Sequence, residues 1–240
     1  MNEPQREDAA DREAAAVAAR YARRDVGDRY SPSRPEVRLM LQERRRAMLR
    51  RFAHQGLVDL ARLRLLEVGC GTGGNLLELM QLGFLPQHLA GIELLPERCA
   101  AARSVLPAAV DLREGDALRA ELPPASFDIV FVSTVFSSLL DDEVQQRLAD
   151  AIWRWLRPGG GVLWYDFVVD NPRNADVRGV SVARVRNLFA QAASVHAERV
   201  TLAPPLARVL VRVHPALYTV FNAVPWLRTH ALAWVAKPAA

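Results

Sequence analysis

A cluster of glycines between an apolar segment and a helical pattern constrains this chain most. The apolar segment at residues 63–68, interrupted by Arg64 and Glu67, predicts a buried parallel strand. The sequence G-C-G-T-G-G follows at residues 69–74, and a helical pattern begins at Asn75. Glycine lets the backbone turn sharply and approach a ligand closely, and the start of the next helix presents free N–H groups. This order of strand, turn and helix predicts the first unit of a nucleotide-binding α/β sheet.

The spacing within the turn does not by itself identify a ligand. Gly69, Gly71 and Gly74 satisfy G-x-G-x-x-G, although a glycine-rich turn that binds nothing is the alternative. Glu93 ends the next predicted strand, 24 residues beyond Gly69. An acid at about this distance can accept hydrogen bonds from both ribose hydroxyls. Because several classes of nucleoside-binding enzyme share it, Glu93 predicts nucleoside binding without choosing the cofactor.

The sequence E-V-G-C-G-T-G resembles the first motif of the class I S-adenosylmethionine-dependent methyltransferases. Glu67, Gly69, Gly71 and Gly73 match that motif position by position. The resemblance implies that the turn surrounds the methionine end of S-adenosyl-L-methionine. It also implies that Asp116, 23 residues beyond the ribose-binding acid, hydrogen-bonds the adenine amino group. The implied cofactor-binding residues are Glu67, Gly69, Cys70, Gly71, Gly73, Glu93, Leu94, Asp116, Ala117 and Ser133.

Two later segments carry the same resemblance. F-D-I-V at residues 127–130 and L-R-P-G-G-G-V-L at residues 156–163 match the family's fourth strand and the turn after the following helix. Many relatives place a histidine pair or an aromatic side chain just beyond the fourth strand. This chain has Phe136, Ser137 and Ser138 there, which removes one candidate general base.

Other phrases resemble bacterial methyltransferases of cell-surface polysaccharide biosynthesis, including N-P-R-N-A-D-V-R-G at residues 171–179. That resemblance implies a sugar or glycan hydroxyl as the methyl acceptor. Asp166, at the carboxyl end of a predicted strand and before this polar loop, is the first candidate base, and His230 is the second. A loop that only braces the sheet is the alternative. The candidate substrate-binding residues are Tyr30, Ser137, Asn171 and Arg173.

The patterns along the chain, with the resemblance, predict an α/β fold. We expect a three-layer, doubly wound, seven-stranded, mostly parallel sheet with an antiparallel last strand and an N-terminal helical extension. Predicted strands cover residues 63–68, 89–93, 110–117, 127–133, 162–167, 199–202 and 227–235. Predicted helices cover residues 14–24, 36–53, 75–81, 96–106, 141–155, 180–190 and 204–224, the last broken near His214. Residues 1–62 would form the extension or lid, frayed over residues 1–12, and residues 63–240 a Rossmann-like methyltransferase domain.

Two helical segments have a structural and a functional interpretation. The arginines at residues 44–46 predict a solvated helix face, and contact with an anionic substrate or a phosphate is the alternative. The apolar segment at residues 204–224 predicts a core-facing helix pair. A surface that meets lipid or a partner is disfavoured there, because Arg208, Arg212 and His214 are few for a basic membrane face.

Composition argues against several classes of function. The formal net charge is +4, and acids are interleaved with the arginines, which argues against a nucleic-acid surface. Cys70 and Cys99 form neither a metal-binding nor a disulfide pattern, so we expect no catalytic metal and a reducing cytoplasmic location. No apolar run reaches the roughly 18 residues of a membrane span. The expected partner is a small-molecule or glycan substrate, and a homodimer is compatible with the sequence.

The sequence favours an S-adenosylmethionine-dependent methyltransferase that transfers a methyl group to a hydroxyl of a small molecule or glycan intermediate by in-line displacement. A nitrogen acceptor, a non-glycan substrate, a non-catalytic cofactor-binding module and an NAD-dependent oxidoreductase are the alternatives. Asp116 disfavours the oxidoreductase, as does the absence of a Ser–Tyr–x–x–x–Lys arrangement in a chain whose only lysine is Lys237.

Overall fold

The computed structural model describes residues 3–23, 27, 30–170 and 174–239, with side chains from residue 9 onward. In this part of the chain, one seven-stranded sheet has the strand order β3-β2-β1-β4-β5-β7-β6. The strands are β1 (Leu65–Val68), β2 (Leu89–Glu93), β3 (Asp111–Glu114), β4 (Phe127–Ser133), β5 (Leu156–Phe167), β6 (Ser194–Leu202) and β7 (Arg228–Ala236). Strands β1 to β5 pair in parallel, and β7 runs antiparallel between β5 and β6. The predicted seven-stranded sheet with its antiparallel last strand is therefore confirmed.

Helices cover both faces of the sheet. They are α1 (Glu3–Ala22), α2 (Pro35–His54), α3 (Gly74–Leu82), α4 (Pro96–Val105), α5 (Asp142–Trp155), α6 (Val182–Leu188), α7 (Pro204–Val213) and α8 (Ala216–Asn222). One buried cluster joins α5 and α6 to the sheet through residues such as Ile152, Trp155 and Leu188. A second joins α2, α3 and α4 to the opposite face through residues such as Phe52 and Leu76. The predicted three-layer architecture follows from these two cores.

The central strands are buried on both faces, which explains their nearly continuous apolar sequences. Every residue of β1 and β2 is buried, including Glu67 and Glu93 near their carboxyl ends. β3, at the edge of the sheet, is mostly exposed, and its sequence D-L-R-E is correspondingly polar. The two buried acids therefore stand out, because burying a carboxylate is costly unless it has hydrogen-bond partners.

Three predicted boundaries were wrong. α1 begins at Glu3, although residues 1–12 were expected to fray, because Ala9 and Ala10 are buried and Asp11 lies 2.5 Å from Arg119. β5 begins at Leu156, which pairs with Phe127 ahead of an irregularity, so the strand includes the glycines expected to precede it. β6 begins at residue 194, because its polar first half pairs with β7 at the edge of the sheet.

The apolar segment near the C-terminus forms two short helices, and the predicted break at His214 is confirmed. On the inner side of the two helices, Ala207, Val211 and Tyr218 form a small buried cluster with Leu202 of β6, and this cluster packs against α2. The expectation of a core-facing pair was only partly right, because the outer face leaves several valines in solvent. None of the helices that the structure describes has both the length and the apolar character needed to cross a bilayer.

Candidate cofactor site

A cavity of about 300 Å³ lies at the carboxyl ends of the parallel strands. Its walls come from the glycine turn after β1, the end of β2, the turn after β3 and the residues after β4, and α1 covers it. Ligands of open α/β sheets bind in this position. The predicted cofactor residues that line it are Gly69, Cys70, Gly71, Glu93, Leu94, Asp116, Ala117 and Ser133.

The glycine turn forms because its backbone adopts conformations that other residues disfavour. Gly69 and Gly71 have φ angles of 70° and 58°. The amides of Gly69 and Cys70 both donate to the carbonyl oxygen of Ile92, at 2.8 and 3.0 Å, which ties the turn to β2. A Cβ atom on Gly69 would lie 2.7 Å from Val135, so the turn also packs closely against the segment after β4.

Glu93 holds the glycine turn from the end of β2. Its Oε2 accepts a hydrogen bond from the Gly71 amide at 2.7 Å, and its Oε1 accepts one from the Leu95 amide at 3.0 Å. A carboxylate has about four acceptor positions, so each oxygen retains capacity toward the cavity. Glu93 is thus an acceptor with a fixed position in the cavity wall.

Asp116 lines the cavity from the turn after β3, the strand that pairs with β2. Its Oδ1 accepts a hydrogen bond from the Leu118 amide at 2.9 Å, which fixes the side chain at the start of a short 3₁₀ helix. The residues next to it, Gly115 and Ala117, also line the cavity. Glu93 and Asp116 therefore face one cavity, as the motif spacing predicted.

Glu67 and Gly73 do not line the cavity; both lie behind the glycine turn. A Cβ atom on Gly73 would lie 2.8 Å from Leu106, so this glycine allows close helix packing. Glu67 is fully buried, and its Oε1 accepts a hydrogen bond from Asn75 Nδ2 at 2.6 Å. Its Oε2 is buried without a hydrogen-bond partner, and burial raises the pKa of Glu67 to about 8. Burial therefore favours the protonated form of Glu67.

The first arginine of the run on α2 is not solvated, so the predicted solvated face was wrong at that position. Arg44 is buried, and its Nη2 donates to Asn75 Oδ1 at 2.7 Å and to Glu78 Oε2 at 2.6 Å. Arg46 is exposed, as a solvated face requires, whereas Arg45 is partly buried. Arg44 and Asn75 both line the cavity, so a chain of hydrogen bonds links its wall to buried Glu67.

Residues 1–62 were expected to form an extension or lid, but the α1 residues that line the cavity were not identified from the sequence. Ala10, Ala14, Val17 and Tyr21, on one face of α1, line the cavity. Arg20 anchors the helix through hydrogen bonds to Glu13 at 2.6 Å and to the Ser138 carbonyl at 2.9 Å. The four lining residues recur every three or four positions, which is the spacing of one helix face. Because two of them are alanines, this face is only slightly more apolar than the rest of the helix, and the pattern is weak.

Arg98, in the first turn of α4, was missed as well. Its guanidinium lies 4.7 Å from the centre of the Tyr21 ring, and a Cβ on Gly71 would lie 2.5 Å from its Nη2. It therefore occupies the space between α1 and the glycine turn. Its place five residues after Glu93 was the only sequence signal.

The segment after β4 supplies the inner wall of the cavity. Ser133, Thr134 and Ser138 line it, and Thr134 has a φ angle of 56°, which is unusual for a β-branched residue. The Thr134 amide donates to the Tyr165 carbonyl at 2.8 Å, which holds this conformation. Strain of this kind concentrates at functional sites.

The candidate bases lie outside the cavity lining. Asp166 is buried, and its oxygens accept hydrogen bonds from the amides of Ser137 at 3.0 Å and Phe167 at 2.8 Å. Burial raises its pKa to about 6, although these hydrogen bonds act in the opposite direction. His230 is buried, stacks 4.9 Å from the Tyr165 ring, and has its pKa lowered to about 3 by burial.

The remaining substrate candidates are placed as follows. Ser137 is buried, with its amide bonded to Asp166. Tyr30 exposes 52% of its surface and is not part of the cavity wall; Tyr21 holds that position instead. Asn171 and Arg173 lie outside the described residues.

Comparison with known proteins identifies the core of the chain. The family model for a methyltransferase domain matches residues 65–160. A demethylmenaquinone methyltransferase of Deinococcus radiodurans is 36% identical over 108 residues, which cover 43% of this chain and 43% of that protein. The chain therefore matches less than half of the curated relative's length.

Solved structures match over more of the chain. An S-adenosylmethionine-dependent methyltransferase from Archaeoglobus fulgidus superposes with a TM-score of 0.58 at 15% identity, covering 80% of this chain and 94% of that chain. One from Mesorhizobium loti gives 0.58 at 18% identity, covering 85% and 98%. Identities this low establish the fold and leave the substrate open. Residues 65–160 therefore resemble a methyltransferase domain, and the chain shares the fold of these S-adenosylmethionine-dependent methyltransferases.

Proposed function

We propose that the protein is an S-adenosylmethionine-dependent methyltransferase whose acceptor is a hydroxyl of a small molecule or glycan intermediate. The observation that carries the proposal is that Glu93, Asp116 and the glycine turn line one cavity at the carboxyl edge of the sheet. The match of residues 65–160 to the methyltransferase domain supports it independently.

The cavity suits a nucleoside cofactor without a pyrophosphate. Its volume of about 300 Å³ falls at the lower end of the range for small-molecule sites. Two carboxylates in the wall favour hydroxyl and amino donors and repel phosphates. The Gly71 amide, which a dinucleotide phosphate would need, is already bonded to Glu93. These features support S-adenosylmethionine over NAD.

Each wall has a separate role in holding the cofactor. Glu93 would accept hydrogen bonds from the ribose hydroxyls, and Asp116 with Ala117 would face the adenine amino group. Glu67 keeps one oxygen without a partner behind the turn, so an ammonium group nearby would lower its pKa and favour its charged form. Arg98 and Tyr21 would close the site between α4 and α1.

The bound cofactor supplies an activated methyl group on a sulfonium. The protein must mainly position the acceptor in line with that group and exclude water, and positioning can contribute about 7–11 kcal/mol. Ala10, Ala14 and Val17 of α1 add apolar surface to the cavity wall, which would help to exclude water. We retain Asp166 as the candidate base, because its pKa of about 6 suits proton transfer near neutral pH. Its contact with the acceptor would require movement of the segment around Ser137.

Thermal unfolding with S-adenosylhomocysteine, with NADH and without ligand tests the cofactor. Ligand at about 100 times its dissociation constant should add roughly 2.7 kcal/mol. In a chain of this size, that gain in stability raises the melting temperature by roughly 5–10 °C. We expect a shift with S-adenosylhomocysteine alone, which Glu93→Ala removes. A shift with NADH alone would contradict the proposal, and no shift with either would favour a non-catalytic module.

The acceptor needs a separate assay with isotopically labelled methyl donor. We expect label in a hydroxyl of nucleotide-activated sugars or glycan precursors, and Asp166→Asn should lower the rate by about 10²–10⁴-fold if it is the base. Label only in a quinone would show that the acceptor matches that of the Deinococcus relative named above. Label only on a nitrogen would also exclude the hydroxyl acceptor.

A further inference from the structure

The outer side of α7, α8 and the turn that follows presents apolar side chains to solvent. We define the α7–α8 outer face as Val209, Val213, Val220, Val224 and Trp226. Val213 exposes 75% of its surface and Trp226 exposes 89%. Single exposed valines are common, but four on one short helical segment that ends in an exposed tryptophan indicate an interaction surface.

This part of the chain carries no acidic residue. No aspartate or glutamate occurs after Glu198, whereas Arg208 and Arg212 lie on α7 itself. Neither arginine forms an ion pair with a residue in the described ranges. The acids of the adjacent helix α2 are already engaged: Glu43 accepts a hydrogen bond from the Thr201 amide at 2.9 Å, and Glu36 lies 3.9 Å from Arg34. The outer face is therefore apolar with a positive border.

We propose that the α7–α8 outer face docks the protein on the surface of an anionic lipid bilayer. The sequence disfavoured lipid here because its basic residues are few, but it did not show that apolar side chains such as Val213 and Trp226 lie in solvent beside them. A short amphipathic helix with arginines beside its apolar side lies in the plane of the lipid headgroups. Tryptophan is enriched at that depth because one end of its ring is apolar and the other is polar. Anionic headgroups complement the unpaired arginines.

The same charges argue against a second copy of this chain as the occupant. A two-fold symmetric interface buries the same surface patch of both copies. Arg208 and Arg212 of both copies would then share one apolar interface, without an acid on this segment to offset their charge. A bilayer rich in anionic lipid has no such repulsion.

The outer face lies at the same edge of the sheet as the cofactor cavity. β6 runs parallel to β5, because both pair antiparallel with β7. α7 begins two residues after β6 ends at Leu202, so it starts at the carboxyl edge. Docking would hold this edge near the membrane and bring a lipid-linked acceptor within reach. This last consequence rests on the proposed function, whereas the docking itself does not.

Co-sedimentation with vesicles of phosphatidylcholine, with and without phosphatidylglycerol, tests the proposal on the full chain. We expect sedimentation with the anionic vesicles only, reversed by high salt. Trp155, Trp164 and Trp234 are buried, and Trp153 is partly buried with its ring 5.9 Å from that of Phe189, so a blue shift of tryptophan fluorescence on binding would come mainly from Trp226. Trp226→Phe should bind but lose most of the blue shift.

Substitutions in the outer face should weaken binding, and matched substitutions elsewhere should not. Arg208→Gln with Arg212→Gln should lower vesicle affinity about 25-fold, or about fivefold for each arginine. Val213→Ser with Val220→Ser should lower it as well. The controls are Arg154→Gln on α5 and Val58→Ser, where the valine exposes 88% of its surface.

Absence of binding to anionic vesicles would overturn the proposal, as would equal losses in the controls. A dimer in size-exclusion chromatography that Trp226→Ala dissociates, without vesicle binding, would identify the face as a contact between copies. The thermal shift with S-adenosylhomocysteine should be the same in all these variants. A failure of docking can therefore be distinguished from a failure of the proposed function.

Discussion

Two buried carboxylates at the glycine turn differ in the number of partners that each has. Glu93 accepts two backbone hydrogen bonds, at 2.7 and 3.0 Å. Glu67 accepts one, from Asn75, and burial raises its pKa to about 8. The motif predicted both acids from spacing alone, but only the structure shows how their hydrogen-bond partners differ and that burial raises the pKa of Glu67.

Glu67→Gln should make the stability of the protein less dependent on pH. Between pH values of about 4.5 and 8, the unfolded chain releases the Glu67 proton while the folded protein retains it. A group whose pKa is raised by folding therefore destabilises the fold progressively as the pH rises through this range. The melting temperature of the variant relative to wild type should rise by several degrees from pH 5 to pH 8. Thermal unfolding at a series of pH values measures it.

The control for that series is Glu97→Gln, at an exposed position in the first turn of α4. Its melting temperature relative to wild type should change little with pH. A Glu67→Gln difference that stays constant with pH would show that Glu67 is ionised in the folded protein.

Gly71→Ala should destabilise the protein and weaken cofactor binding. An alanine at a φ angle of 58° costs about 1–2 kcal/mol, and its Cβ would press on Arg98. We expect a melting temperature lower by a few degrees and a smaller shift with S-adenosylhomocysteine. The control is Gly74→Ala in the same turn, where no atom lies within 4 Å of the added Cβ. Equal effects in both variants would exclude backbone conformation as the cause.

At the scale of the element, the cover that α1 forms over the cavity can be tested with one adjacent pair of alanines. Ala14 lines the cavity, whereas Ala15 is exposed on the same helix. Ala14→Asp would place a carboxylate in a cavity that already contains two acids, so we expect at least a tenfold loss of affinity for S-adenosylhomocysteine. Ala15→Asp has the same cost in helix propensity, and this variant should bind S-adenosylhomocysteine with the affinity of the wild type. Isothermal titration calorimetry measures both, and equal affinities would show that α1 does not cover the bound cofactor.

The elements differ in how well the sequence predicted them. β1, β2 and β4 were predicted closely because buried parallel strands are apolar on both faces, and because β1 stops before Gly69 and β2 stops at Glu93. The sequence suggested a lid within residues 1–62 but not which α1 residues face the cavity, because these positions are mostly alanine and the cavity itself is a tertiary feature. Arg44 was taken for a surface residue because its partners, Asn75 and Glu78, are 31 and 34 residues away in sequence. Long-range pairing of this kind leaves no periodic signal.

At the scale of the whole molecule, α2 connects parts that the sequence assigned to different domains. The sequence placed residues 1–62 in an extension separate from residues 63–240. In the structure, Ala47, Met48 and Phe52 of α2 are part of the same buried cluster as β1 and β5. Leu39 and Met40, nearer its start, pack with α7 and α8. We therefore propose that α2 unfolds together with the sheet.

Phe52→Ala should lower the stability of the whole molecule in a single transition. Phe52 is 1% exposed, and its ring centre lies 6.0 Å from that of Phe84. Removing a buried phenylalanine side chain costs about 3–5 kcal/mol, which lowers the melting temperature by roughly 10 °C in a chain of this size. Leu49→Ala on the same helix is the control. Because Leu49 is exposed, this substitution should lower the free energy of unfolding only slightly. Differential scanning calorimetry that resolves two transitions, only one of them shifted by Phe52→Ala, would restore the division at residue 62, because a separate extension would melt without the sheet.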